Sequence, residues 1–568
     1  MKILLLCKSK LFLIALLITT GLLGPIHVSA QARSDFEIAK NLDIFATLYR
    51  ELNANYVDNL QHGDLFEEGI SAMLEALDPY TNFIPESQIE DYKFMTSGQY
   101  GGIGALIQQR DNYVIISEPY EGAPAHKAGL RAGDKILEIN GKSALNKTSS
   151  DVSTILKGQP GTSLTIKIER PGESKPLSFG IVRENVKIKD IPYFGLLESD
   201  IAYINLTGFT QNASQEVNRA YQELKQQNPF KGLVLDLRGN GGGLLNEAVE
   251  IVGMFVPRGE TVVSTRGKLK ESNQIHKTLR NPIDTIMPII VLVDNNSASA
   301  SEIVAGAIQD LDRGIVVGQR TLGKGLVQNV IPLTYNTHLK VTVAKYYIPS
   351  GRCIQAIDYF HEVGQDQPLA IPDSLKTAFT TRNGRLVWES SGIEPDVDIE
   401  PRKMSSLTSA LFVNFVFMDY ANHFVNNHKS IPTANDFIIT DEIYSDFVAF
   451  VKARDFHYSN RSEKLLEQLK EVAEKENYMD AIKDEIALLE RQIQEQKKND
   501  LELFSKEIKD ILQSEIVTRY YYQQGRVANT LQRDRVVRKA VELLQNLQEY
   551  KNILSASGKP SKAGTKKG

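Results

Sequence analysis

The sequence predicts an α/β protein: a core of alternating strands and helices, with a β-rich block before it and helical segments at either end. Three observations predict this. Between about residues 187 and 402, strand-length apolar runs such as "IAYINL", "GLVLDLR" and "PIIVLV" alternate with helical stretches such as "NASQEVNRAYQELKQQ". That alternation goes with parallel pairing. Between residues 97 and 186, runs such as "YVIISEP", "DKILEING" and "SLTIKIERP" are separated by turn residues. In residues 31–96 and 403–554, apolar side chains recur at helical spacing, with Ile482, Ile486, Leu489 and Ile493 marking one face of the second segment.

At the N-terminus, Lys2, Lys8 and Lys10 precede "LFLIALLITTGLLG", and "VSA" follows before Gln31. This is the three-part layout of a secretory signal peptide, and the apolar stretch is shorter than the roughly 20 residues a spanning helix needs. Residues 1–30 are therefore expected to be a leader, and the protein to be exported to the periplasm or cell envelope. Cys7 leaves with the leader. Cys353 is then the only remaining cysteine, so no intrachain disulfide can form, and a buried inert thiol is its expected role. Residues 31–96 read as an N-terminal helical segment, with Phe45, Leu48, Tyr49 and Leu52 at helical spacing until "LDPYTNFIP" breaks the pattern.

A chain of 568 residues is too long for one core. Its net charge of −5 argues against a dedicated nucleic-acid binder. The basic end, "GKPSKAGTKKG" within residues 555–568, reads as a disordered solubilising tail, with a peripheral membrane-surface or a nucleic-acid contact as the alternative. The nine histidines are scattered, with no H-E-x-x-H, no C-x-x-C and no phosphate or dinucleotide fingerprint. No metal or cofactor is expected.

In the β-rich block, "YGGIGALI" is a glycine-rich turn entering a strand. Successive N–H groups in such a turn can converge on a carboxylate, and the edge strand after it can accept an extended peptide. An ordinary tight turn is the competing account of Gly101, Gly102 and Gly104. Further on, "GAPAHKAGLRAGDKILEINGK" completes a pattern that resembles a PDZ domain. That resemblance makes Gly102, Ile103 and Gly104 the expected contacts for a substrate's C-terminus.

Two segments of the core share a strand–loop–helix form: "GLVLDLRGNGGGLLNEAVEIV" and "MPIIVLVDNNSASASEIVAGAIQD". Glycines let the backbone approach a ligand, and two helix N-termini can stabilise developing negative charge. Ser297, Ser299 and Ser301 alternate in the second loop, and each could cap the helix or act as nucleophile. A nucleophile needs a base, and no histidine is apparent nearby. Lys324 stands between two glycines in "TLGKGLVQ". It could serve if burial lowers its pKa from about 10.4 to near 7–8, a shift of roughly 4 kcal/mol.

"SASASEIVAGAIQDLDRGIVVGQRTLGKGLVQ", with "YYIPSGRCIQ" and "GIEPDVDI", resembles the signature of the C-terminal processing peptidases, the tail-specific serine proteases with a Ser-Lys dyad. The resemblance covers about residues 35–402, and "EIVTRYYYQQGRVA" is similar to extensions found in part of that family. It implies a ClpP/crotonase-like α/β protease core over 187–402, with a PDZ domain inserted at 97–186. It also implies Ser299 as nucleophile, Lys324 as base and Gln328 as support for the lysine. The N–H groups of Ala300 and Gly243 would then form the oxyanion hole. Leu322 stands where the family usually has an aromatic residue, and Cys353 where it often has serine. Ser301, with Glu302 after it, is left to cap or start the helix, and Ser297 to shape the turn. The expected protein is an exported endopeptidase acting on protein substrates with exposed C-termini, forming a homo-oligomer and binding no nucleic acid. A non-catalytic PDZ scaffold is the rival reading, and intact Ser299, Lys324 and Gln328 argue against it. The signal peptide and PDZ argue against a crotonase-like acyl-CoA enzyme.

Overall fold

The computed structural model describes residues 26–555, apart from 199, 360–368, 371–375, 390 and 455. Most of the expected leader, and nearly all of the basic tail, lie outside the described residues. No described helix is long and apolar enough to cross a membrane.

The chain forms two units, residues 1–76 and 77–568. The first contains helices Ile26–Asn55 and His62–Glu75. Its Tyr49 hydroxyl donates to the His62 carbonyl at 2.8 Å, and its ring meets the edge of Phe66. The helical segment expected over 31–96 thus divides after Ala76.

The second unit is organised by a six-stranded sheet. Its strands run Tyr193–Leu197, Ile201–Asn205, Gly232–Asp236, Ile289–Val293, Ile315–Gly318 and Val397–Asp398 in spatial order. All pairs are parallel except the first. Every residue of the four strands from Ile201 to Gly318 is buried, as continuous apolar runs require when both faces of a parallel sheet are covered. On one face lie helices Ala213–Gln227, Leu245–Gly253 and Ala300–Asp310. On the other lie helices Arg535–Gln545 and Leu547–Ile553, through Val537, Ala540, Leu543, Leu544 and Tyr550. The Tyr550 phenol accepts from the Ile289 N–H at 3.1 Å and donates to its carbonyl at 3.0 Å. The last helices of the segment expected as a separate extension over 403–554 therefore complete the α/β core.

A smaller sheet pairs Thr261–Gly267 and Leu326–Pro332 with His338–Tyr347. Strand Asn82–Ile84 also pairs with His338–Tyr347. So "LDPYTNFIP", expected only to break the N-terminal helices, supplies a strand to the core.

The β-rich block is an antiparallel sheet of strands Ala105–Arg110, Tyr113–Pro119, Lys135–Ile139, Ser163–Glu169 and Leu177–Val182. Helix Ser149–Leu156 is started by a Thr148–Asp151 capping box. Val114, Ile116, Ile136, Ile166 and Ile168 fill the core. The two ends of the block meet where Gln99–Gly102 pairs with Glu184–Lys187. The block rests on the C-terminal helices. Arg110 forks onto Asp419 at 2.7 and 2.9 Å, Arg454 reaches the same carboxylate at 2.6 Å, and Tyr522 meets His126 at 2.7 Å. In helix Met479–Lys497, Ile486 is buried, Ile482 and Ile493 are half-buried and Leu489 is exposed. The apolar face expected there is thus narrower than its spacing suggests.

Candidate active site

Three loops meet at the C-terminal ends of the central strands. The first follows strand Gly232–Asp236. There the Asn240 amide donates to the Leu206 carbonyl at 2.8 Å and accepts from the Gly242 N–H at 2.9 Å. Gly242 has φ +102°, and a Cβ on it would stand 2.8 Å from the Ser299 Cβ and 2.7 Å from the Ala298 carbonyl oxygen. Only glycine lets this loop lie against the serine.

The second loop follows strand Ile289–Val293 and carries the three serines. Ser297 Oγ donates to the Leu237 carbonyl at 2.8 Å and accepts from the Asp294 N–H at 3.0 Å. Ser301 Oγ donates to the Asn240 carbonyl at 2.8 Å. Both are fully buried, and both fasten the serine loop to the glycine loop. Ser297 shapes the turn as expected. Ser301 lies in the first turn of helix Ala300–Asp310 but does not cap it; its hydroxyl is a tether. Ser299 differs: it is half-buried, with φ +55° and ψ −113°, immediately before helix Ala300–Asp310. A serine held in such sparsely populated backbone, at a strand-to-helix turn, is the geometry that presents a hydroxyl outward.

Glu302 joins this loop to the third. Its carboxylate is wholly buried and accepts from the Ser299 N–H at 2.8 Å, Thr321 Oγ1 at 2.6 Å, the Gly323 N–H at 2.8 Å and the Lys324 N–H at 2.9 Å. Burial raises its pKa above the ordinary carboxylate value, and these hydrogen bonds act in the opposite direction. The serine peptide and the lysine peptide thus share one buried carboxylate.

Burial, helped by the nearby positive charge of Lys340, lowers the Lys324 amine to about 8; Glu302 and Asp78 act the other way. Its Nζ lies 4.3 Å from the centre of the Tyr80 ring. The buried Tyr346 phenol donates to the Lys324 carbonyl and also hydrogen-bonds the Ser299 side chain. The Gln328 amide, expected to support the lysine, instead donates to Thr342 Oγ1 at 3.2 Å. The Thr342 N–H in turn donates to Thr81 Oγ1 at 3.2 Å, and the Thr81 hydroxyl donates to Asp78 at 2.9 Å. Gln328 therefore bears on the segment around Tyr80.

The N–H groups of Gly243 and Ala300 have no acceptor among the described residues; Ala300 follows Ser299 in the chain, and Gly243 follows Gly242, which lies against Ser299. The Gly243 backbone is fixed by its bridge to Phe209. A half-buried serine on sparsely populated backbone, N–H groups without an acceptor in its own loop and in the glycine loop against it, and an amine of lowered pKa are the equipment of acyl transfer. Cys353 is buried, which raises its thiol pKa and leaves it inert. Among the described residues no three His, Cys, Asp or Glu side chains group to hold a metal.

In the β-rich block, Gly104 has φ +71°, and a Cβ there would meet the Ala123 Cβ at 2.4 Å. On Gly102 it would meet the Tyr100 ring at 2.6 Å. The Ile103 side chain is buried in the core and its carbonyl accepts from the Ala125 N–H at 2.7 Å. What this turn offers a peptide is main chain, and the Tyr100 phenol oxygen lies on the N–H groups of Gly104 and Ala105.

Sequence alone does not mark Glu302, Tyr346 or Tyr80 as site residues: Glu302 reads, with Ser301, as a helix start, Tyr346 lies inside "YYIPSGRCIQ", and Tyr80 lies in a stretch that breaks the N-terminal helices.

Three segments of the chain match known families. Residues 200–366 match the profile described as Peptidase family S41, residues 115–170 a PDZ domain, and residues 407–544 the C-terminal helical domain of probable PDZ-proteases. A carboxy-terminal-processing protease of Bartonella bacilliformis is 35% identical over 372 residues, 65% of this chain and 85% of that one. The carboxy-terminal processing protease CtpB of Bacillus subtilis is 31% identical over 347 residues, 61% of this chain and 70% of that one. Among solved structures, the photosystem II D1 C-terminal processing protease aligns with 28% identity and a TM-score of 0.35, over 63% of this chain and 92% of that one.

Proposed function

The chain belongs to the S41 family of carboxy-terminal-processing serine proteases, and within that family we propose that it is an exported endopeptidase whose nucleophile is Ser299 and whose base is Lys324. Neutral Lys324 takes the Ser299 hydroxyl proton as Oγ attacks the scissile carbonyl. The N–H groups of Gly243 and Ala300 receive the developing oxyanion. Lys324 then gives its proton to the leaving amine, and water repeats the sequence on the acyl-enzyme. Gln328 acts at one remove, holding Thr342 and the segment that carries Tyr80. Export is supported by the basic and apolar N-terminal pattern.

One observation carries the reading: an amine lowered to about 8 by burial stands on a loop whose peptide shares the Glu302 carboxylate with the Ser299 peptide. The base must be neutral, so kcat/KM is expected to rise with pH through about 8 and then level. Chelators should leave the rate unchanged. A rate that is flat from about pH 6 to 9, or loss of activity in chelator restored by zinc, contradicts the dyad.

We further read the turn at Gly102, Ile103 and Gly104 as the cradle for a substrate's terminal carboxylate, which would displace the Tyr100 phenol oxygen from the Gly104 N–H. Backbone donors are worth most to a charged acceptor. A peptide amidated at its C-terminus should bind the full-length Ser299→Ala protein about tenfold or more weakly than the free acid. Equal affinities by calorimetry leave the glycines as an ordinary turn.

A further inference from the structure

We propose that Tyr80 is a positioning residue for Lys324: its ring face holds the amine as an ammonium in the resting enzyme and gives it up to Ser299 only as the neutral base. The inference rests on the reading of Lys324 as base and adds to it a device that sets when the base is available.

The geometry comes first. Lys324 Nζ lies 4.3 Å from the Tyr80 ring centre, well inside cation–π range. Among the described residues Nζ makes no hydrogen bond and no ion pair, and none to Ser299. The ring is therefore its one specific partner there. The ring is also held still. The Asp78 carboxylate accepts from the Tyr80 N–H at 2.8 Å and from the Thr81 N–H at 2.9 Å. The following strand, Asn82–Ile84, is paired into the sheet. Tyr359 meets the Tyr80 ring edge-on at 5.8 Å, with the two hydroxyls 3.4 Å apart. Burial raises the Tyr80 phenol pKa, so the ring stays neutral wherever the enzyme works.

An aromatic face attracts a cation and not a neutral amine. Tyr80 therefore stabilises the protonated lysine and raises its pKa against the other groups. Facing the same amine, Lys340 lowers it along with burial, and Glu302 and Asp78 raise it. The Tyr346 phenol engages the lysine's own carbonyl. Deprotonation removes the attraction to the ring and frees the flexible side chain to reach Ser299. The positions of ring and hydroxyl thus couple protonation state to location.

The test is the pH profile of kcat/KM for Tyr80→Leu, Tyr80→Phe and Tyr80→Trp on an unfolded protein substrate. Leucine keeps bulk and removes the aromatic face, so the acid limb should move to lower pH by about half a unit to one unit. Phenylalanine should leave it near the wild-type position, and tryptophan should move it to higher pH. A leucine limb that stays in place, or moves to higher pH, overturns the proposal. If the leucine variant is inactive, the amine is titrated directly. The Lys324 resonance of 13C-lysine-labelled full-length protein is followed in Ser299→Ala with and without Tyr80→Leu, and assigned by Lys324→Gln. The same acid shift is expected, and an unchanged titration overturns the proposal. Failure of the underlying dyad would show separately, as full activity in Lys324→Ala.

Discussion

Alanine at Ser299 or at Lys324 is expected to abolish proteolysis of an unfolded substrate, each alone costing about 10⁴-fold or more in kcat/KM, with the fold intact. The two act as a unit, so the double variant should be no worse than either single one. Structure divides the neighbouring serines from this role. Ser297 and Ser301 are fully buried and spend their hydroxyls on the carbonyls of Leu237 and Asn240. Alanine at either leaves a carbonyl short of a partner, at about 1 kcal/mol each, and loosens the contact between the glycine loop and Ser299. Those variants should melt lower and keep measurable activity. Degradation gels and thermal melts on the four single variants check this. An active Ser299→Ala beside an inactive Ser301→Ala would mean the nucleophile is misassigned.

Glu302→Gln is expected to have the next largest effect, although Glu302 touches no substrate. Its two carboxylate oxygens together accept from four donors: the N–H groups of Ser299, Gly323 and Lys324 and the Thr321 hydroxyl. Glutamine replaces one acceptor oxygen with an NH₂, which would face donors. No rotation of the amide satisfies all four. The expected cost is about 3 kcal/mol of stability, and about 10²-fold or more in kcat as the serine and lysine peptides lose their common anchor. Melting temperature and kcat measured together distinguish this from a general loss of fold, since folded Glu302→Gln below its melting point should still be slow. A variant with near wild-type kcat would show that the shared carboxylate does not align the dyad.

The core was legible because parallel strands buried on both faces read as unbroken apolar runs, and "IAYINL", "GLVLDLR" and "PIIVLV" are such runs. The loops carrying Ser299 and Gly243 were legible because glycine and alternating small residues after a strand have few other uses. The partner of a helix face was not. Val537, Ala540 and Leu544 show an amphipathic face, but periodicity says nothing about which surface covers it, and that surface proved to be the second face of the protease sheet. Tyr80 and Lys324 lie 244 positions apart (324 − 80) in the sequence, and no local pattern joins them. Glu302 was visible as an acidic residue in a first helical turn. That it also accepts from a loop 20 or so residues away follows from the fold alone. Gln328 lies where the motif puts it, and its amide nonetheless turns to Thr342.

The most direct test of the Ser299–Lys324 account is peptide mapping of the full-length protein after reaction with a fluorophosphonate, which phosphonylates an activated serine. The adduct is expected on Ser299, formed faster as pH rises through about 8 and lost in Lys324→Ala. An adduct on Ser297 or Ser301, or undiminished labelling of Ser299 in Lys324→Ala, would contradict it.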